Sequence, residues 1–212
     1  HLAWNYPLGN AALKIGPTIA SGCCCVLKPS SQTPLATLYL GEIMHKIGLP
    51  AGVVNIIAGP SGELGQALNA SPIPKMITLI GSTETGRQVM AQGATSVKTY
   101  SLELGGNAPC IVMEDGDVDT AVKLAVTSQV SNSGQTCIGY NRIYVHASRY
   151  QEFCDKAVEL LKQVKLGAGR DPGETVMGPL INKRERDRVL GLIEDAKAHG
   201  ANVLYGGEIP DG

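Results

Sequence analysis

Along the first hundred residues, short apolar runs alternate with segments whose apolar positions recur three and four residues apart. The run "CCCVLK" ends at Lys28 and is followed by "TPLATLYLGEIMHKIG", Thr33 to Gly48, which reads as strand, turn and helix. "GVVNIIAG" (Gly52 to Gly59) leads in the same way to "SGELGQALNA", and "KMITLI" (Lys75 to Ile80) to "GSTETGRQVMAQ". Each strand-like run is continuously apolar rather than alternating, as a strand covered on both faces requires. The helices between them supply the crossovers of a parallel sheet. Residues up to about Glu103 are therefore expected to form a doubly wound α/β unit.

The pattern then restarts. "VKTYSLEL" ends at the Gly105-Gly106 pair, and a second unit begins with "PCIVMED". A helix from about Val118 to Val130, the polar loop "SNSGQTC", a strand "NRIYVHA" and helices over about Arg149–Val164 and Lys183–His199 follow, with a strand-like "NVLY" near the end. This places a boundary between domains 1–104 and 105–212. No internal repeat or low-complexity linker interrupts the alternation. Starting in loop-like text and stopping soon after "NVLY", the chain reads as a segment of a longer protein.

At 212 residues and 43% hydrophobic, the chain can bury a sizeable core. Its 18 basic and 19 acidic side chains nearly cancel, so no field favours a nucleic-acid backbone or an anionic membrane. No apolar run approaches the roughly 20 residues that span a bilayer, and "HLAWNYPLGN" lacks a signal-peptide pattern. A cytoplasmic location, or an organelle matrix, is expected. The six cysteines are irregularly spaced, without a CxxC pair, and the four histidines show no ligand spacing; neither a disulfide framework nor a metal site is indicated.

A cysteine nucleophile must be accessible, and its thiolate must be favoured by nearby dipoles or positive charge. Cys137 meets the first condition, in a polar, glycine-containing loop between a helix and a strand, where catalytic groups are commonly displayed. Cys23, Cys24 and Cys25 are expected to alternate between the buried faces of a strand, and Cys110 and Cys154 to pack on a strand and a helix. Glu103 in "LELGGNAP" ends a strand beside two glycines. Asn5 in "WNYP" precedes a helix and carries an amide able to stabilise an oxyanion. "GSTETG" follows a strand and opens a helix, where backbone N–H groups suit a pyrophosphate. Singly, each has an ordinary structural reading: a loop cysteine, a solvated glutamate, a turn.

Read together, "WNYPL", "LKIGP", "KPSSQTP", "GVVNIIAG", "GSTETGR", "LELGGNAP", "GQTC" and "GPLI" resemble the NAD(P)-dependent aldehyde dehydrogenase family, in the family's order and over essentially the whole chain. The resemblance implies a Rossmann-type parallel sheet followed by part of an α/β catalytic domain. It also implies that the chain is the central portion of a protein more than twice as long, weakly active or inactive alone. Cys137 matches the nucleophile that forms a thiohemiacetal and then a thioester, Asn5 the oxyanion amide, and Glu103 the base that activates water. Lys28, Gly81 and Ser82 match cofactor-binding positions, with Trp4, Gly62 and Leu104 beside the same motifs. Ser31 stands where NAD-specific relatives often have glutamate, which implies that NADP is used at least as well as NAD. The full-length protein is expected to act on a small aldehyde as a homo-oligomer, a dimer or tetramer.

The wording of "KPSSQTP" and "LELGGNAP" is similar to the succinate-semialdehyde dehydrogenase branch. That branch commonly carries two arginines for the substrate carboxylate where this chain has Leu13 and Ser131. A buried carboxylate without a cationic partner is costly, so a neutral or differently anchored aldehyde is indicated. Gly139 stands where members with a redox switch carry a second cysteine. Two rival readings are a non-catalytic structural or binding protein on the same fold and a coenzyme-A acylating relative. The joint presence of Cys137, Glu103 and Asn5 weighs against the first, and Glu103 against the second.

Overall fold

Three parallel strand pairs carry the α/β fold, each with at least one helix between its strands. β1 (Cys25–Leu27) pairs with β2 (Val54–Ile56) across α2 (Leu35–Lys46), and β3 (Met76–Gly81) with β4 (Thr99–Leu104) across α4 (Thr83–Gly93). β5 (Pro109–Val112) pairs with β6 (Arg142–Val145) across α5 (Val118–Val130). To these are added α1 (Pro7–Ala20), α3 (Ser61–Ala70), α6 (Tyr150–Leu161) and α7 (Lys183–Ala198). This computed structural model describes residues 1–170 and 177–210. Residues 171–176 and 211–212 of the expected second domain lie outside the described residues. The chain divides into two compact units, His1–Gly105 and Gly106–Gly212.

In the first unit the two strand pairs flank the segment His1–Leu2. The Leu2 N–H donates to the Lys28 carbonyl at 3.0 Å, and the Ile80 N–H donates to the His1 carbonyl at 3.1 Å. Ala11 and Ile15 of α1 pack with Leu27 and Met44 beside the β1–β2 pair, while Ile77, Leu79 and Val89 form a second cluster between β3 and α4. Proline at the first position of α1 fits, because its missing N–H would have had no helical partner there. The helix ends where Gly22 takes φ 72°, a left-handed conformation that glycine adopts without steric cost. Gly86 brings α4 close to β4: a methyl group in its place would lie 3.1 Å from Leu104 Cδ2.

The second unit is built on α5, whose Val118, Val122, Ala125, Val126 and Val130 recur at helical spacing and bury against Val112 and Phe153. Asp117 caps this helix by accepting from the Thr120 N–H at 3.2 Å, and Asn182 caps α7 by accepting from the Glu185 N–H at 2.9 Å.

Three expectations are corrected. The strand at "CCCVLK" begins only at Cys25, because the Cys23 N–H bonds back to the Thr18 carbonyl and closes the end of α1. Cys23 and Cys24 are consequently exposed rather than buried. β3 is buried on both faces, with Ile77 and Leu79 on one side and Ile80 on the other, but β1, β5 and β6 are not. Cys110 and Val112 of β5 turn into the core while Ile111 stays 66% exposed, and Val26 of β1 and Tyr144 of β6 are likewise open. "NVLY" forms no strand, since among the described residues no ladder is offered to it.

Candidate functional site

In a parallel sheet all strands point their carboxyl ends the same way, and ligands of open α/β sheets bind outside that edge. In the first unit this edge collects most of the candidate residues. Lys28 follows the last residue of β1, Gly81 ends β3 in register with Leu104 of β4, and Glu103 precedes Leu104. His1 and Leu2 bond to both strand pairs, so Trp4 and Asn5 leave from the same edge. The turn over Lys28 to Pro34 is tied to them by the Thr33 hydroxyl, which donates to the Trp4 carbonyl at 3.1 Å.

Each side chain has its own setting at this edge. Lys28 is buried, and burial pulls its ammonium below the usual lysine value. Glu103 is exposed and Asn5 half-buried. Ser82 is the N-cap of α4: its hydroxyl oxygen accepts from the Thr85 N–H at 3.1 Å and lies 2.8 Å from the Thr85 hydroxyl. The first turn of α4 therefore presents backbone donors and the positive end of the helix dipole directly after a parallel strand. Glu84 in that turn is engaged backwards along the helix, accepting from Gln88 at 3.2 Å and facing Arg87 at 3.6 Å. Ser31 is exposed in the turn after Lys28, and Gly62 lies in the first turn of α3 with open space about its Cα. A buried cation, a helix N-terminus and a glycine turn on one edge suit the phosphates and ribose of a dinucleotide.

In the second unit Cys137 is exposed on the loop joining α5 to β6. The loop leaves α5 through an unusual backbone: Asn132 (φ 49°), Ser133 (φ 59°) and Gly134 (φ 71°) are left-handed in succession. For the two non-glycine residues such a conformation costs roughly 1–2 kcal/mol each. The surrounding bonds hold it. The Gln135 amide donates to the Asn132 carbonyl at 2.9 Å, the Asn132 amide donates to the Gln135 carbonyl at 3.1 Å, and the Thr136 N–H donates to the Gly134 carbonyl at 2.9 Å. Beyond Cys137, the Tyr140 N–H donates to the Ser128 hydroxyl at 3.2 Å, and Asn141 donates to the Asn107 side chain at 2.8 Å. A methyl group on Gly106 would lie 3.8 Å from the Cys137 carbonyl, so Gly106 lets backbone pass close to the loop. Ser133 in the loop and Ser128 on α5 carry no signal of their own in the sequence.

The model of the aldehyde dehydrogenase family matches residues 2–212. The chain belongs to the aldehyde dehydrogenase family. It is 44% identical over 209 residues to a glutarate-semialdehyde dehydrogenase of Pseudomonas putida, covering 99% of this chain and 43% of that one. It is 44% identical over 205 residues to a succinate-semialdehyde dehydrogenase [NADP(+)] of Escherichia coli, covering 97% and 42%. The crystal structure of PnpE in complex with nicotinamide adenine dinucleotide superposes with a TM-score of 0.96 at 40% identity, covering all of this chain and 43% of that one. The chain thus spans less than half the length of these aldehyde dehydrogenases. Among the described residues no helix is long and apolar enough to cross a membrane, and no three His, Cys, Asp or Glu side chains converge as metal ligands would.

Proposed function

We propose that this chain is the central part of an NAD(P)-dependent enzyme that oxidises a small aldehyde to its carboxylate, with the first unit binding the cofactor and the second bearing the nucleophile. What supports this is the gathering of Asn5, Lys28, Ser82 and Glu103 at the carboxyl ends of two parallel strand pairs that His1–Leu2 bridges. The mechanism rests on Cys137. Its thiolate attacks the aldehyde carbon, and the Asn5 amide and the Cys137 N–H stabilise the resulting oxyanion. A nicotinamide cofactor held by Lys28 and Ser82 would supply the hydride acceptor that conversion of the thiohemiacetal on Cys137 to a thioester requires. Glu103 takes a proton from water as the water attacks the thioester, which releases the carboxylate and returns Cys137 as thiolate.

Lys28, Ser82, Gly81, Trp4, Gly62 and Leu104 hold the cofactor in this reading. Ser31 presents no carboxylate to repel a 2′-phosphate, so NADP is used at least as well as NAD. Leu13 is 57% exposed and Ser131 is exposed, and neither supplies a cation for a substrate carboxylate. Neutral or differently anchored aldehydes, another semialdehyde among them, are therefore expected to outpace succinic semialdehyde. Six free thiols suit a reducing compartment, cytoplasm or organelle matrix. Apolar side chains open to solvent, such as Leu35 and Ile73, suit a homo-oligomer of the full-length protein.

The test follows reduced-cofactor absorbance in the full-length protein with a panel of neutral and carboxylate-bearing aldehydes. It is run with NAD and NADP, with and without coenzyme A, beside Cys137→Ala. Aldehyde-dependent reduction that needs no coenzyme A and is lost in Cys137→Ala is expected. A coenzyme-A requirement would favour the acylating reading, and no aldehyde-dependent signal would favour a structural protein.

A further inference from the structure

Two side chains of the nucleophile loop reach away from it. The Ser133 hydroxyl donates to the Gly178 carbonyl at 2.6 Å and lies 3.4 Å from the Pro179 carbonyl, while the Gln135 side-chain oxygen accepts from the Ile181 N–H at 2.8 Å. Both bonds land on the short segment 178–181, which is itself fixed at its two ends. Upstream, the Met177 N–H donates to the Lys165 carbonyl at 3.1 Å and the Gly167 N–H donates to the Met177 carbonyl at 3.2 Å. Downstream, Asn182 caps α7.

The arrangement has a mechanical logic. Ser133 sits in the middle of the left-handed run that sets the direction in which the chain approaches Cys137, four residues later. A backbone in a sparsely populated conformation persists only where its surroundings over-determine it. Ahead of Cys137, the bonds from Ser133 and Gln135 fix the loop to the rest of the unit; beyond Cys137, Tyr140 and Asn141 tie it to Ser128 and Asn107.

Building on the assignment of Cys137 as nucleophile, we propose that Ser133, supported by Gln135, is a positioning residue: its hydroxyl latches the loop onto segment 178–181 and thereby holds the Cys137 sulfur in its attacking direction. The latch touches neither substrate nor cofactor. Its effect belongs to the covalent step, so kcat should carry the loss and KM should not.

Two substitutions separate the latch from backbone strain. Ser133→Ala removes the hydroxyl and keeps a side chain at φ 59°. Ser133→Gly removes the same hydroxyl but relaxes the backbone, since glycine adopts positive φ freely. In the full-length enzyme, both variants are expected to slow single-turnover formation of reduced cofactor by about tenfold, a loss of the size small misplacements of a reacting group produce. KM for the aldehyde should stay within about twofold, since the latch is not asked to contribute binding that substrate and transition state share. Thermal unfolding of Ser133→Gly should occur no lower than in the unsubstituted enzyme. A wild-type single-turnover rate in Ser133→Gly, with Cys137→Ala inactive, overturns the latch alone. An active Cys137→Ala overturns the nucleophile assignment and the latch with it.

Discussion

Position 139 shows how closely the Cys137 loop is fitted. Gly139 is buried, and a methyl group there would lie 3.0 Å from Thr136 Cγ2 and 3.4 Å from Gln129 Nε2. Gly139→Ala should therefore overpack the loop and lower stability by about 1–3 kcal/mol in denaturant titration; an unchanged unfolding midpoint would show that Thr136 simply rotates away. The same crowding opposes a second cysteine two residues after Cys137. At this scale the sequence was informative about kind and less so about place. Cys137 was separable from its five fellows because small and polar neighbours mark an exposed loop, and it is exposed. Cys23 and Cys24 were misread because apolar composition does not distinguish a helix-closing turn from the strand that follows it. The anchors at Gly178 and Ile181 lie some 45 residues beyond the loop, a distance over which side-chain pairing leaves no local pattern.

Among elements, α5 delivers the loop, and a titratable carboxylate caps its start. The Thr120 hydroxyl, 2.6 Å from Asp117, and the Thr120 N–H together hold the Asp117 carboxyl below the usual aspartate value. A carboxylate depressed in the folded state contributes stability above its unfolded value, and that contribution is lost as pH falls through the folded value. Thermal melts from neutral pH to below about pH 4 should therefore show an acid-side loss that is smaller in Asp117→Asn, since asparagine caps the helix without titrating. Identical acid limbs would place the sensitivity in other carboxylates. Strand-helix alternation and parallel pairing were readable from the sequence, because helical spacing and short apolar runs report directly on local geometry. "NVLY" was not, because a β-propensity run becomes a strand only where a neighbouring ladder exists.

For the whole molecule, continuous apolar runs state which surfaces ask to be covered, not whether this chain covers them. Leu35 (77% exposed), Ile73 (82%), Val97 (97%) and Ile138 (76%) remain open. The 212-residue chain expressed alone should therefore self-associate in light-scattering chromatography, and a stable monomer at high concentration would contradict this. The segment His1–Leu2, set between two strand pairs, also bears on how the first unit forms. Each pair closes on its own after about 20–30 residues of chain, a separation at which loop-closure entropy is modest. Joining the pairs through His1 and Thr78 spans 77 residues. Folding rates fall as contacts become less local. The two βαβ modules should thus form early, and zipping them along this seam should be the late event that completes the edge bearing Asn5, Lys28 and Glu103.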